Sequence, residues 1–475
     1  MGVEISMATV DFDVVVVGGG PGGSTAATLI ALDGHRVLLL EKETFPRYQI
    51  GESLLPSTIH GIFPLLGVSE EIEKAGFTHK RGGTFRWGVS PDPWTFAFSS
   101  SPRLSEFGSF AYQVERAKFD QILLKNAARV GVQVHQGARV TEVLRSGKRV
   151  TGVRYCDADG EHEATATYVV DASGNTGRLH NAVGGRREYS PFFRYVAAFG
   201  YFEGGGRLPE PNSGNILAAA FDRGWFWYIP LTDQLTSVGA VVRHEEAATI
   251  QGDPEAALHS LIDECPLVRD LLGDAKQCRR EPYDKVRVRR DYSYDRTALW
   301  CPGMVVVGDA ACFIDPVFSS GVHLATYSAL QAARSINAVL AGIADEERCF
   351  QEFETRYRHE FALFRDFLIS FYKMNVVEDS YFWEAKKVME HEGSALEAFA
   401  ELVGGVASEI DFSRVGFPEE TKPNPIPVEV FDAMAIGMAA GIKEMRGDAS
   451  ARLEKPAPGA LITSPDGRRW AIAEY

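Results

Sequence analysis

Three glycines and one acid carry the first chemical signal. Gly18, Gly20 and Gly23 stand at G-x-G-x-x-G spacing, directly after Val14-Val15-Val16-Val17 and ahead of small residues that open a helix. Each glycine answers a steric need: one turns the chain tightly, one lets a pyrophosphate approach the backbone, one packs helix against strand. The helix start adds free N–H groups and a partial positive charge suited to phosphates. Arg36-Val37-Leu38-Leu39-Leu40 reads as the second strand and ends at Glu41. That acid lies about 20 residues on, where it can accept from ribose hydroxyls. A glycine-rich surface turn is the bland alternative. Strand, glycines, helix, strand and acid in this order argue for a dinucleotide site. An acid at position 41 argues against a 2′-phosphate on that ribose.

The elements that must position these residues follow from pattern. The valine run reads as a strand buried on both faces. Residues 44–58, with two prolines and Gly51-Glu52-Ser53, read as a loop leaving the second strand and running over the cofactor. Thr84 to Trp87 reads as a strand, with Lys80 just ahead of a diglycine, and residues 91–110 as an excursion over a pocket. An apolar helical pattern follows Arg116 and stops at Gly131. Strands are expected near 132–135, 139–144 and 150–155, with a hairpin turn at Asp157-Ala158-Asp159-Gly160. Tyr168 to Asp171 reads as another buried strand. Residues 186–290 alternate apolar and polar, which predicts a mostly antiparallel sheet inserted into the first domain. Met304 to Ala311 then repeats the strand-to-helix idiom. The fold expected is therefore α/β: a discontinuous Rossmann-like domain over 8–90, 108–185 and 286–345, a substrate-side sheet over 91–107 and 186–285, and a mostly helical region over 346–475. Phe350, Phe353, Tyr357, Phe361, Phe364, Leu368 and Phe371 recur at helical spacing and read as one core-facing stripe. A further helix is expected near 430–445 and a Pro-rich turn near 455.

Composition bounds the partners. A chain of 475 residues suggests two or three domains. Its net charge of −15 argues against a nucleic-acid surface. The basic run Lys285-Val286-Arg287-Val288-Arg289-Arg290 is either a patch for an acidic carrier protein or a strand facing solvent or cofactor. Six cysteines without a C-x-x-C pair or metal spacing suit a reducing, cytoplasmic setting and no metal. No signal-peptide order and no membrane-length apolar run is expected.

Two sets of motifs resemble known families. Gly18–Gly23 with Glu41, Arg116 with Asp120, and Val307-Gly308-Asp309 resemble the FAD signatures of single-component-type aromatic hydroxylases. The resemblance implies Asp309 on the ribityl chain and Arg116 near the phosphate–ribitol region. Three further segments resemble flavin-dependent halogenases. Gly224-Trp225-Phe226-Trp227-Tyr228-Ile229-Pro230 is similar to their W-x-W-x-I-P motif; two tryptophans packing one face of a strand would look the same. Lys80 stands where those enzymes carry an active-site lysine. Phe313-Ile-Asp-Pro316-Val-Phe-Ser319-Ser-Gly321 is similar to the segment that binds halide beside the isoalloxazine, although a helix N-cap is its plainer reading. The resemblance spans about residues 11–345.

It implies an FADH2-dependent halogenase of the branch acting on phenols and pyrroles. FAD would be held by Gly18, Gly20, Gly23, Glu41, Arg47, Ser53, Arg116, Asp309, Pro316 and Gly321. Chloride or bromide would rest on the amides of Ser320, Gly321 and Val322. Reduced flavin, O2 and halide would give hypohalous acid, which Lys80 delivers as a chloramine or by hydrogen bond. Trp225 and Trp227 would keep substrate from the flavin. The implied partners are a separate NAD(P)H flavin reductase and an electron-rich aromatic substrate, free or on an acyl- or peptidyl-carrier protein. Phe318 stands where tryptophan halogenases carry a glutamate, which points away from their mode of handling indole. The ring base is open among His79, His323 and Glu52. The rival readings are an aromatic hydroxylase reduced directly by NAD(P)H, a prenyl-chain saturating reductase, and a flavin-binding scaffold. The reductase family carries a cysteine near Gln49-Ile50.

Overall fold

The computed structural model describes residues 10–87, 92–101, 104, 109–290, 292–373, 400, 403 and 457–474. The helix expected near 430–445 and the Pro-rich turn expected near 455 lie outside the described residues. The valine strand Phe12–Val17 sits inside a parallel sheet, between Val37–Glu41 and Gly160–Asp171. Val14, Val15 and Val16 are fully buried, as a strand covered on both faces requires. Met304–Val306 extends the sheet on one side and Gln133–Gln136 on the other. Because these strands are parallel, their carboxyl ends share one edge. Val17 lies opposite both Leu40 and Asp171, and Asp171 opposite Val306. The glycine turn, Glu41, Ser173 and Asp309 thus converge there, where ligands bind in open α/β sheets.

Two helices lock onto this sheet. Pro21–Leu32 crosses Ser320–Leu340 at Gly22, where a Cβ would lie 3.2 Å from the Ala325 carbonyl oxygen. Glu346–Lys373 then runs as one helix, and its aromatic stripe is buried, as expected. No helix among the described residues is long and apolar enough to cross a membrane.

The second sheet runs Lys276–Gln277, Tyr195–Glu203, Leu235–Arg243, Gly224–Pro230, Ile216–Phe221, Gly82–Arg86, Trp94–Ala97, with Arg287–Arg290 also paired to Tyr195–Glu203. It is antiparallel except where Ile216–Phe221 meets Gly82–Arg86 in parallel. Two strands assigned from sequence to the first domain, Gly82–Arg86 and Arg287–Arg290, therefore belong to this sheet. Gly82–Arg86 meets Ile216–Phe221 across more than a hundred residues of chain and Arg287–Arg290 meets Tyr195–Glu203 across about ninety, pairings that local pattern does not encode. The C-terminal region is also not all helical. Leu461–Thr463 and Trp470–Ile472 form a hairpin docked on helix Ser320–Leu340, with the Trp470 indole donating to Ser335 Oγ at 2.9 Å.

Candidate functional site

At the carboxyl edge of the first sheet the glycine turn is tightly constrained. Gly18 has φ of 102°, and a Cβ on Gly23 would fall 1.8 Å from the Gly18 carbonyl oxygen. Gly20 has only the Arg47 guanidinium near it, at 3.4 Å from a Cβ, so its backbone is open to a bulky anion. Glu41 accepts from Gly19 N–H at 2.6 Å and Glu43 N–H at 2.8 Å, bracing the turn. Asp120 is buried between two cations. It accepts from Arg47 at 2.8 Å and from Arg116 at 2.7 and 2.9 Å. Arg116 also donates to the Ile50 and Gly51 carbonyls, clamping the 44–58 loop. Ser53 Oγ is buried without a partner. Burial raises the Asp309 carboxyl to about 6, against the pull of Arg116, Arg289 and Arg187. An open glycine backbone, two arginines and an unpaired hydroxyl along one edge fit a flavin dinucleotide.

Lys80 lies further along. Thr78–Lys80 pairs with Ala111–Gln113, and strand alternation turns His79 outward and Lys80 inward. The lysine is 1% exposed. Its Nζ donates to the Leu54 carbonyl at 3.1 Å and to Ser319 Oγ at 3.3 Å, and lies 5.6 Å from the Phe98 ring centre. Both acceptors are neutral. With no acid partner among the described residues, burial lowers its pKa to about 7.

Ser319 has φ of 60° and ψ of 25°, a left-handed conformation uncommon for a residue with a Cβ. It precedes helix Ser320–Leu340, and its hydroxyl makes no capping bond to that helix. The first amides of the helix, those of Ser320, Gly321 and Val322, are therefore uncapped by that side chain. A left-handed residue followed by helix forms the backbone concavity that suits an anion. Gly321 is required by space: a Cβ there would lie 2.9 Å from the Phe313 ring. Phe318 packs among Phe371, Phe367 and Phe85, at 4.8, 5.3 and 5.9 Å between ring centres. Trp225 and Trp227 share the inner face of the second sheet. Trp227 lies over Gly239 and donates to Ser237 Oγ at 3.2 Å; Trp225 stands 6.1 Å from Trp87 with its indole N–H buried and unpaired.

The three residues weighed as ring base fare differently. His79 is exposed and packs on Phe110 and Tyr112. Both nitrogens of His323 are engaged, by Ser57 Oγ at 2.9 Å and Glu360 at 2.6 Å. Glu52 accepts from the Tyr201 hydroxyl at 2.7 Å, and burial raises it to about 7. Sequence reasoning missed Ser319 as the partner of Lys80, the Ser57–His323–Glu360 chain, and Asp315. Only the Asp-Pro step marked the last. In the basic run, Arg287 lies 3.7 Å over the Tyr48 ring, whereas Arg289 and Arg290 line an open cavity of about 620 Å³ with Asn175 and Thr176.

A glycine turn at the edge of a parallel sheet, a second sheet facing it and a buried lysine beside a helix start define a two-sheet flavoprotein oxidoreductase. The chain belongs to the flavin-dependent halogenases: the tryptophan halogenase family model matches residues 13–108 and 102–419. It is an enzyme that uses FAD with halide and O2. It is 36% identical over 417 residues to a tryptophan 2-halogenase of Chondromyces crocatus, covering 85% of this chain and 77% of that one. It is 31% identical over 393 residues to the 1H-pyrrole-2-carbonyl-(peptidyl-carrier protein) chlorinase of Pseudomonas fluorescens, covering 78% and 86%. The structure of the myxobacterial chondrochloren halogenase CndH is similar with a TM-score of 0.77 and 51% identity, covering 97% of this chain and 99% of that one.

Proposed function

We propose that this enzyme chlorinates a phenolic ring in natural-product biosynthesis, with Lys80 as the residue that delivers oxidised chlorine. FAD would be held by Gly18, Gly20, Gly23, Glu41, Arg47, Ser53, Arg116, Asp309, Pro316 and Gly321. Bound reduced flavin and dioxygen supply the two-electron oxidant that converts chloride to hypochlorous acid. Ser320, Gly321 and Val322 hold chloride on their amides, at the positive end of a 21-residue helix. Lys80 donates to Ser319, the residue just before that helix, and lies 5.6 Å from the Phe98 ring centre. With a pKa near neutrality its amine is available both as a proton donor and as a lone pair. Trp225 and Trp227 wall the route and keep it dry, so the oxidant is not lost to water. The phenylalanine at 318 supplies no charge to polarise the oxidant. That suits a phenol, which activates its own ortho and para carbons. The chlorinase among the relatives supports chloride as the halide.

A separate NAD(P)H flavin reductase supplies reduced flavin, in keeping with the single glycine fingerprint. The enclosure of Lys80 supports a free phenol. A second reading, delivery on an acidic carrier protein, is favoured by the open cavity beside Arg289 and Arg290. The observation that carries the proposal is the buried lysine bonded to the residue that starts the halide helix. Lys80→Ala, supplied with a generic flavin reductase, is expected to lose chlorinated product by roughly 10²–10⁴-fold while flavin oxidation continues. Product masses in chloride and in bromide read this out. Undiminished chlorination by the variant removes the assignment.

A further inference from the structure

We infer that Asp315 is the acceptor for the substrate's ring hydroxyl and the base that activates the ring. The inference rests on the phenol reading above. Asp315 is wholly buried. One carboxylate oxygen accepts from Val317 N–H at 3.0 Å and from the Tyr372 hydroxyl at 3.0 Å. The other, Oδ2, is buried and has no partner among the described residues. A turn-forming aspartate needs only the first oxygen, so the second is unexplained by the fold. The Tyr292 hydroxyl is also buried and unpaired, and its ring stands 6.1 Å from Phe313. Two unsatisfied polar atoms in one aromatic cluster are costly unless something completes them. A phenol hydroxyl, which both donates and accepts, can complete the pair.

The surroundings suit a ring. Tyr372 stacks on Tyr195 at 5.4 Å and meets Trp87 edge-on at 5.4 Å, and Trp87 in turn faces Trp225. Asp315 is also tied to the lysine end of the site. It lies four residues before Ser319, directly ahead of a turn closed by Ser319 N–H donating to the Pro316 carbonyl at 3.0 Å. Even a fully extended chain would hold those two Cα atoms within about 15 Å, and the turn brings them closer. Lys80 and Asp315 therefore serve opposite ends of one short segment.

The step balances. Asp315 takes the phenol proton as the ring carbon attacks the chlorine of hypochlorous acid, and the C–Cl bond forms as the Cl–O bond breaks. The departing hydroxide takes a proton from the Lys80 ammonium and leaves as water. The proton on the chlorinated carbon restores the lysine, and Asp315 returns its own to the ring oxygen. Burial places the Asp315 carboxyl at about 7, a value suited to a base working near neutral pH. The titratable groups facing it are Tyr372 from the long helix, Tyr292 ahead of strand Tyr294–Arg296, and Tyr195, which Arg243 and Glu245 flank from outside.

The test compares p-cresol with its methyl ether, which cannot donate a proton. Binding is read by tryptophan fluorescence on flavin-free protein, and turnover is read with a flavin reductase. Wild type is expected to bind the phenol at least tenfold more tightly than the ether, and kcat/KM for the phenol should fall as pH drops through about 7. Asp315→Asn keeps the turn acceptor but not the charge. It should lose the phenol preference, the acid limb and about 10²–10⁴-fold in kcat. Tyr372→Phe, a gentler change should the first variant fail to fold, is expected to weaken the preference several-fold. If wild type prefers and chlorinates the phenol but both variants keep that preference and pH profile, Asp315 is not the acceptor. If wild type neither binds nor chlorinates the phenol, the phenol reading falls and this inference falls with it.

Discussion

Replacing Lys80 by methionine should make the protein more stable while abolishing halogenation. The lysine is buried with two neutral acceptors, and its pKa is lowered from 10.5 to about 7 by burial alone. A shift of that size corresponds to about 5 kcal/mol against the charged form in the folded state. Methionine has nearly the same length and no charge to bury. The substitution leaves the Leu54 carbonyl and Ser319 hydroxyl without their donor, which costs about 1–3 kcal/mol. The net expected gain is therefore about 2–4 kcal/mol below neutral pH.

The sign of the pH dependence follows from the proton count. Between about pH 7 and 10.5 the unfolded lysine is protonated and the folded one is not, so wild-type stability rises with pH at about 1.4 kcal/mol per unit. Below about pH 7 the penalty is fully present; above about pH 10.5 it is gone. The advantage of Lys80→Met should thus be largest near pH 6 and shrink by about 2–3 kcal/mol by pH 9. Urea unfolding of both proteins at these two pH values measures it. A variant no more stable than wild type at the lower pH, with the same pH dependence, would falsify the view that this lysine is an uncompensated buried cation.

Two further substitutions probe the anion site and the cofactor clamp. Gly321→Ala places a methyl 2.9 Å from the Phe313 ring, so the ring or the first helical turn must shift; where the turn gives, the KM for chloride should rise by roughly 10–100-fold, measured by halide titration of product formation. Asp120→Ala leaves Arg47 and Arg116 without the carboxylate both use. It should cost about 3–5 kcal/mol in denaturant unfolding, with FAD affinity falling in parallel by equilibrium dialysis.

What could be read from sequence, and what could not, divides along the range of the interactions. The glycine turn was legible because its partners are local: Gly18 and Gly23 are five residues apart, and Glu41 braces the turn from the end of the next strand. The aromatic stripe from Phe350 to Phe371 was legible by period, and so was its burial. The second sheet was legible as alternation but not in its membership, since Gly82–Arg86 pairs with a strand starting at Ile216. The hairpin at Leu461–Thr463 and Trp470–Ile472 is stabilised by docking onto a helix more than a hundred residues earlier.

The same division runs through the site, and there it has a mechanistic consequence. Alternation along Thr78-His79-Lys80 turns the lysine inward, but its acceptors come from 26 and 239 residues away. One is a backbone carbonyl and the other a serine hydroxyl, so neither leaves a signature of charge in the sequence. A lysine paired with a carboxylate would keep its proton and its ordinary pKa. A lysine held by neutral oxygens inside the protein cannot. The feature that spacing could not reveal, the absence of an acid among the described residues from the bonds of Lys80, is thus the feature that brings its amine into the range where it can both hold and release a proton. The destabilisation predicted for the folded wild type and the reactivity proposed for Lys80 are two consequences of that single arrangement, and a variant that restored a carboxylate beside the amine should lose both together.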